Sequence, residues 1–216
     1  MFAFLFANPA STPELSLTIE ADARNLNLWS WIGGEMGGAE TNYSTFNITI
    51  DTGVVIGSTS TGSFAFQTGN FPSGSTLNII NNGTIVGCGG AGGGIDEDGG
   101  DGGNAMYFSL DATVTNNGTI GGGGGGGGGS ETIYGGSGGA GDLPGSAGSG
   151  PEPGDPGSLL TGGSAVGLGG AGGNLGADGD DGASGLPGGT AGDAVHKNGN
   201  TVTITNNGTI SGSVVA

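Results

Sequence analysis

Apolar and polar residues alternate in several short stretches of the first 82 residues. Leu15-Ser16-Leu17-Thr18-Ile19 and Phe46-Asn47-Ile48-Thr49-Ile50 each put every second side chain on one face. That is the pattern of a half-buried strand. Val54 to Gly57, after the turn Asp51-Thr52-Gly53, and Ser63 to Phe66 predict further short strands. Between the first two strands, Leu26, Trp29 and Ile32 recur at helical spacing. The segment Asp22–Ile32 therefore predicts a short helix, with Asp22 as N-cap and Gly33-Gly34 as its stop. The plain reading of these three residues is core packing.

One alternating unit then repeats. Asn81-Asn82-Gly83-Thr84-Ile85, Asn116-Asn117-Gly118-Thr119-Ile120 and Asn206-Asn207-Gly208-Thr209-Ile210 are the same five residues. Each follows inward-type apolar positions: Leu77 and Ile79, Val114, then Val202 and Ile204. Asn-Gly is a strong tight-turn signal because both residues tolerate positive φ. Each copy thus predicts strand, tight turn and second short strand, and Asp51 to Gly57 is a plausible diverged copy. Repetition implies stacking, each unit covering the apolar face of the next. The Asn-Gly-Thr triplets also match a glycosylation sequon, but the turn already accounts for the asparagines.

Between the copies the pattern has period three. Glycine occupies every third position from Gly167 to Gly188, recurs so at Gly87, Gly90 and Gly93 and at Gly135, Gly138 and Gly141, and fills Gly121 to Gly129 without interruption. Three residues per turn is the period of a polyproline II spiral, which makes no internal hydrogen bonds. Such spirals gain stability only side by side, where missing side chains let main chain bond to main chain. A collagen-like triple helix and a bundle within one chain both satisfy the pattern, with plain disorder as the alternative. Phase breaks at Ile95 to Asp98, Ser130 to Tyr134, Asp142 to Pro144 and Pro151 to Leu160 favour the bundle, each break being a turn. The expected fold is mainly β with a short N-terminal helix, stacked β-turn repeats and a bundle of polyglycine II helices. Residues 1–82 form a β-rich attachment domain and residues 83–216 a glycine-rich domain.

Composition narrows the function. Of 216 residues 57 are glycine and 8 proline, and 19 acidic against 2 basic residues give a net charge of −17. Helical bundles and doubly wound α/β domains do not tolerate that much glycine. Nucleic acid is excluded as a partner, since only Arg24 and Lys197 are available to meet phosphates. No apolar run is long enough to insert in a membrane as a helix. One cysteine, Cys88, and one histidine, His196, make neither a disulfide nor a zinc site, and no nucleophile motif accompanies them. No enzyme activity, metal or cofactor is expected. The acids Asp96, Glu97, Asp98, Asp101, Asp178, Asp180 and Asp181 admit a calcium-binding alternative, against a solvated acidic surface. The apolar start, with Phe2, Phe4 and Phe6, is too short for a secretory signal and is expected to be an extended arm packing on a partner.

The run from Phe71 through Asn81-Asn82-Gly83-Thr84-Ile85 to Gly93 resembles the glycine-rich tail-fibre and receptor-binding, host-specificity proteins of tailed bacteriophages. The elements Gly103-Asn104-Ala105-Met106, Gly163-Ser164-Ala165-Val166 and Gly192-Asp193-Ala194-Val195 fit the same pattern. The resemblance spans roughly residues 15–212 and is specific at the Asn-Asn-Gly-Thr-Ile units. It implies a sandwich of polyglycine II helices whose connecting loops touch a host cell-surface receptor, an outer-membrane protein or a saccharide. It also implies a place in the virion tail, beside a phage tail protein, after assembly in the host cytoplasm. A homotrimer and a single copy are both compatible with it.

On that basis Glu131, Ile133, Tyr134, Leu143, Leu159 and Leu160, the bulky or charged residues of the inserts, are the expected receptor-binding loops. Covering the bundle ends is their plain alternative. Phe2, Phe4, Phe6, Trp29 and Trp31 are the expected virion-docking residues, against burial on residues 46–66. The competing function is a purely structural virion accessory protein that binds no receptor.

Overall fold

A computed structural model describes residues 13–216. The chain winds through five turns of a three-sided parallel coil. The first turn comprises β1 (Glu14–Ile19), β2 (Ala23–Arg24) and β3 (Leu26–Asn27). The second comprises β4 (Thr45–Ile50), β5 (Val55–Gly57) and β6 (Phe66–Gln67), and the third β7 (Thr76–Asn81), β8 (Thr84–Val86) and β9 (Met106–Tyr107). The fourth comprises β10 (Ala112–Asn116), β11 (Thr119–Gly121) and β12 (Val195–His196), and the fifth β13 (Val202–Asn206), β14 (Thr209–Ser211) and β15 (Val214–Val215). Successive turns stack into three all-parallel sheets, β1-β4-β7-β10-β13, β2-β5-β8-β11-β14 and β3-β6-β9-β12-β15. We call these the first, second and third faces.

Alternation turns apolar side chains inward. Phe46 and Ile48 stack on Leu77 and Ile79 and then on Ala112 and Val114, Ile50 stacks on Asn81, and all of them are buried. Val54, Ile56, Ile85 and Ile120 close the interior from the second face, Phe66, Met106 and Val195 from the third.

The repeated Asn-Asn-Gly-Thr-Ile is a corner and not a hairpin. β7 and β8 pair with their copies one turn away and never with each other. None of Gly83, Gly118 and Gly208 has positive φ. Glycine is needed there because a Cβ on Gly118 would collide with the Gly83 carbonyl, and one on Gly208 with the Gly118 carbonyl. The asparagines form two ladders along the corner. Asn81 Nδ2 donates to Asn116 Oδ1 and Asn116 Nδ2 to Asn206 Oδ1, each at 2.8 Å. Beside them Asn207 Nδ2 donates to Asn117 Oδ1 and Asn117 Nδ2 to Asn82 Oδ1, each at 2.9 Å.

The helix is displaced from its expected place. Residues 22–27 form corners and short strands, and Asp22 accepts from the amide of Val55 at 2.8 Å. The helix α1 runs over Leu28–Met36, capped by Asn27, whose side chain accepts from Ser30 N at 3.1 Å. Gly33 and Gly34 lie inside it, and Gly37 at φ 59° ends it. Tertiary burial of Leu28 and Ile32 fixes this register, because the coil already uses Leu26 as an inward strand residue.

Besides the segment that carries α1 between β3 and β4, two glycine-rich inserts leave the coil, both at the corner between the second and third faces. They run from β8 to β9 and from β11 to β12. The first insert departs after Val86, just beyond the change of composition at residue 83, and the coil continues on both sides of it. The inserts fold together into a glycine body centred on residues 121–130, every one of which is buried. Each third amide of this run turns to the same neighbour. Gly123, Gly126 and Gly129 donate to the carbonyls of Gly103, Gly100 and Glu97 at 2.7–3.0 Å, and Gly124, Gly127 and Ser130 to Ala140, Ser137 and Tyr134 at 2.8–2.9 Å. Gly125 and Gly128 donate to Ala177 and Asp180 at 3.1 and 3.0 Å. The carbonyls accept on the same period: Gly121, Gly124 and Gly127 from the amides of Gly87, Gly90 and Gly93, and Gly122, Gly125 and Gly128 from those of Gly176, Gly173 and Gly170. Gly123 and Gly126 accept from Gly192 and Gly189. One extended segment thus satisfies its polar groups against six others, and main-chain pairing does what side-chain burial does in the coil.

Candidate functional site

The direction of each segment decides which turns lie far from the coil. Residues 87–94 and 121–130 continue β8 and β11 outward, so the turns at 95–98 and 131–133 are distal. Segment 134–141 returns, and 145–148 runs outward beside it, with Gly145 and Gly148 donating to Gly139 and Gly136 at 2.9 and 2.8 Å. The chain turns again at 149–153, comes back beside 135–141, and makes further distal turns at 166–168 and 183–186.

These five distal turns are bonded to one another. Asp96, in a left-handed conformation at φ 58°, donates its amide to the Ser130 carbonyl at 3.2 Å. The Glu131 amide donates to Ser184 Oγ at 3.0 Å, and the Glu152 amide to the Ile133 carbonyl at 3.0 Å. The Tyr134 ring lies over Gly167, where a Cβ would strike it, and the Ala183 amide donates to the Leu168 carbonyl at 2.8 Å. Ser130 Oγ accepts from the Tyr134 amide at 3.2 Å and holds the turn between them. Ile133 and Leu168 are 42% and 49% exposed, with Tyr134, Ile95, Val166 and Leu186 half-buried around them. The carboxylates of Asp96, Glu97, Asp98, Glu131 and Glu152 are exposed on the same turns. The face is apolar at its exposed aliphatics, acidic elsewhere, and has no basic residue.

The six residues expected as receptor loops fall into two groups. Glu131, Ile133 and Tyr134 share the distal face. Leu143, Leu159 and Leu160 sit on turns at the opposite end, on the order of 20 Å of extended chain away. Leu143 belongs to a turn fastened to the coil: Arg24 Nε of β2 donates to Asp142 Oδ2 at 2.6 Å, and the Gly89 amide to the Leu143 carbonyl at 2.9 Å. The hydrogen bond to Asp142, then its charge, raises the Arg24 pKa. Cys88 lies under this turn, its thiol 3.3 Å from the Leu143 carbonyl, and burial pushes its pKa up. Leu160 borders a cleft against Thr119 of β11 and Thr209 of β14.

Leu168 escaped the sequence reading because the unbroken triplet from Gly167 to Gly188 looks like one spiral. It is cut at Gly167, Gly176 and Gly185, all at positive φ. A glycine required by a left-handed turn is also a glycine that keeps the period. The available signal was leucine, since Leu168, Leu175 and Leu186 each sit beside one of those three glycines.

Of the expected docking residues, Phe2, Phe4 and Phe6 lie outside the described residues. Trp29 packs within the molecule, its ring 5.8 Å from Phe46 and 4.8 Å from Phe71. Trp31 is half-buried beside the corner between β1 and β2. Among the described residues no group of three or more His, Cys, Asp or Glu is placed to hold a metal ion. Several acids of the calcium alternative are engaged by the body: Asp101 accepts from Thr190 N and Oγ1, Asp178 from Ala191 N and Asp181 from Gly188 N, at 2.6–3.0 Å.

The family model for phage tail fibre adhesin Gp38 matches residues 14–215. A crystal structure of the gp37–gp38 adhesin tip complex of the bacteriophage S16 long tail fibre contains a chain of similar fold. The TM-score is 0.71 and the identity 27%, covering 93% of this chain and 82% of that one. No curated protein matches the chain.

Proposed function

The chain belongs to the Gp38 family of phage tail fibre adhesins, and from that premise we propose that its distal face binds a receptor on the host cell surface. The observation that carries this reading is convergence. Turns contributed by segments far apart in sequence meet on one face, remote from the coil, and leave Ile133 and Leu168 exposed there. Loops on a rigid support are where binding residues concentrate, and exposed aliphatics beside an aromatic make a contact patch. In this reading the glycine segments are polyglycine II helices in a hexagonal bundle, which holds the turns in place without an apolar core. The coil's repeats are the anchor of that bundle.

We assign receptor contact to Glu131, Ile133 and Tyr134, joined by Leu168, and leave Leu143, Leu159 and Leu160 to the junction with the coil. The receptor is an outer-membrane protein or a saccharide, bound without chemistry being done on it. The neighbouring S16 structure is a complex with gp37, which supports a tail-fibre subunit as the partner on the virion side.

The test is direct binding of purified protein to host cells. Ile133→Asp with Leu168→Asp is expected to weaken binding by about tenfold or more, the scale of a lost hot spot, at an unchanged melting temperature. Leu159→Ala is expected to bind normally. Retained binding by the distal double variant removes the assignment, and a purified native protein that binds no host cells supports the accessory role instead.

A further inference from the structure

We propose that the outer side of the first face is the surface through which the chain joins its tail-fibre partner, end-on. This rests on the tail-adhesin reading and extends it to the opposite pole of the molecule.

The topology supplies the first argument. Each turn of the coil visits the first, second and third faces in order. Both inserts leave where the second face ends and return where the third begins. In a three-sided coil that corner is opposite the first face. The body continues both faces past the corner: Gly87, Gly90 and Gly93 extend the β8–β11 pairing by donating to Gly121, Gly124 and Gly127 at 2.9–3.0 Å. On the other side the Gly102 amide donates to Thr190, and Ala105 and Met106 carry that pairing into β9 and β12 by donating to Asp193 and Ala194. The body therefore projects away from the first face, and the distal turns and that face are the two ends of one axis. A fibre attached at the first face presents the distal turns straight ahead, whereas attachment at the first or last turn of the coil would aim them sideways.

The second argument is charge. The outward positions of β1, β4, β7, β10 and β13 carry threonine, serine and asparagine, and Glu14 is their single carboxylate. Elsewhere the chain is strongly acidic, with a net charge of −17. A surface kept neutral on such a molecule admits a protein partner without stranding unpaired charge or being repelled. At its centre, on the middle strand β7, Ile80 is 42% exposed between Thr49 and Thr115. Beside that row Asn78 Nδ2 donates to Asn47 Oδ1 at 2.9 Å, which keeps this part of the face flat and its polar groups paired.

The experiment mixes purified protein with virions assembled without it and measures how much co-sediments with the particles. Ile80→Glu and Thr113→Arg, both on the outer side of the first face, are expected to reduce co-sedimentation by about tenfold or more. Both are expected to keep full binding to host cells and the native melting temperature. Val214→Glu, on the exposed edge of the last turn, and Ile133→Asp, on the distal face, are expected to co-sediment as the unsubstituted chain does. If Ile80→Glu perturbs folding, Thr113→Arg, at an exposed position, carries the test alone. Normal co-sedimentation of the first-face variants, or loss confined to Val214→Glu, overturns the proposal. So does a native dimer that Ile80→Glu splits without affecting co-sedimentation, since the face then serves self-association. Failure of the unsubstituted chain to co-sediment removes the tail-fibre reading itself, whereas loss of host binding alone leaves the docking surface standing.

Discussion

At the scale of single residues the corner unit explains itself through distances between copies. Asn116 is wholly buried and both donates and accepts within its ladder. Asn116→Leu leaves Asn81 Nδ2 without its side-chain acceptor and Asn206 Oδ1 without its donor. It is expected to cost about 1–3 kcal/mol, the usual penalty for an orphaned buried polar group, here the amide of buried Asn81 since Asn206 is exposed, read by denaturant unfolding. Gly118→Ala puts a methyl group against the Gly83 carbonyl, which backbone pairing holds in place. A loss of about 1–3 kcal/mol is expected there too. Cys88 gives a pH signature. Its folded pKa is raised by burial and then by the nearby Asp142 charge, so the neutral thiol is the form that folding favours. That contribution is complete below the unfolded thiol value of about 8.5 and fades as pH rises through the folded one. Native protein is expected to resist thiol reagents at neutral pH and react promptly only when unfolded. Equal labelling rates for native and unfolded protein at pH 7 would contradict the buried setting.

At the scale of elements, what the sequence reveals depends on whether a pattern has one physical cause or two. Phe46 to Ile50 alternates because one side faces the core, and β4 lies where the alternation places it. Asn-Asn-Gly-Thr-Ile was legible as a repeated unit but not as a corner. Asn-Gly suits a hairpin equally well, and only the partner one turn away makes glycine obligatory. The helix was mislocated because Leu26 serves the coil as an inward strand residue, while spacing alone made it helical. The distal face was half legible. Glu131 to Tyr134 interrupts a glycine run and is visible, whereas Leu168 hides inside an intact triplet whose turn glycines obey the spiral's own period. The same ambiguity yields a prediction within the body. Gly126 meets the carbonyl of Ala91 where its Cβ would be, and no flexible side chain is there to move aside. Gly126→Ala is expected to destabilise by about 1–3 kcal/mol. It is also expected to accelerate hydrogen exchange at Gly126 and Gly189, whose amides donate to Gly100 and Gly126. Unchanged exchange at both would mean that the body is not packed as described.

At the scale of the whole molecule two kinds of interior are joined, an apolar one inside the coil and a main-chain one inside the glycine body. They respond differently to temperature. Exposing apolar surface raises the heat capacity on unfolding and exposing polar surface lowers it, and ordinary domains reach about 12–15 cal/mol/K per residue, or roughly 3 kcal/mol/K for this length. The body buries peptide groups and very little hydrocarbon, so it adds almost nothing to the positive term. Calorimetry is expected to give a value well below that figure, roughly 2 kcal/mol/K or less. Urea also acts on peptide groups, and its slope follows total surface exposed. The urea m-value is therefore expected to stay near that of an ordinary chain of the same size. A small heat capacity beside a normal m-value is a combination that an apolar core cannot give, because both quantities then rise together. It also flattens the stability curve, so the distal turns keep their arrangement over a wide temperature range. A heat capacity near 3 kcal/mol/K would show that hydrocarbon burial holds the body together, and the role given to the glycine segments as a main-chain scaffold would have to be abandoned.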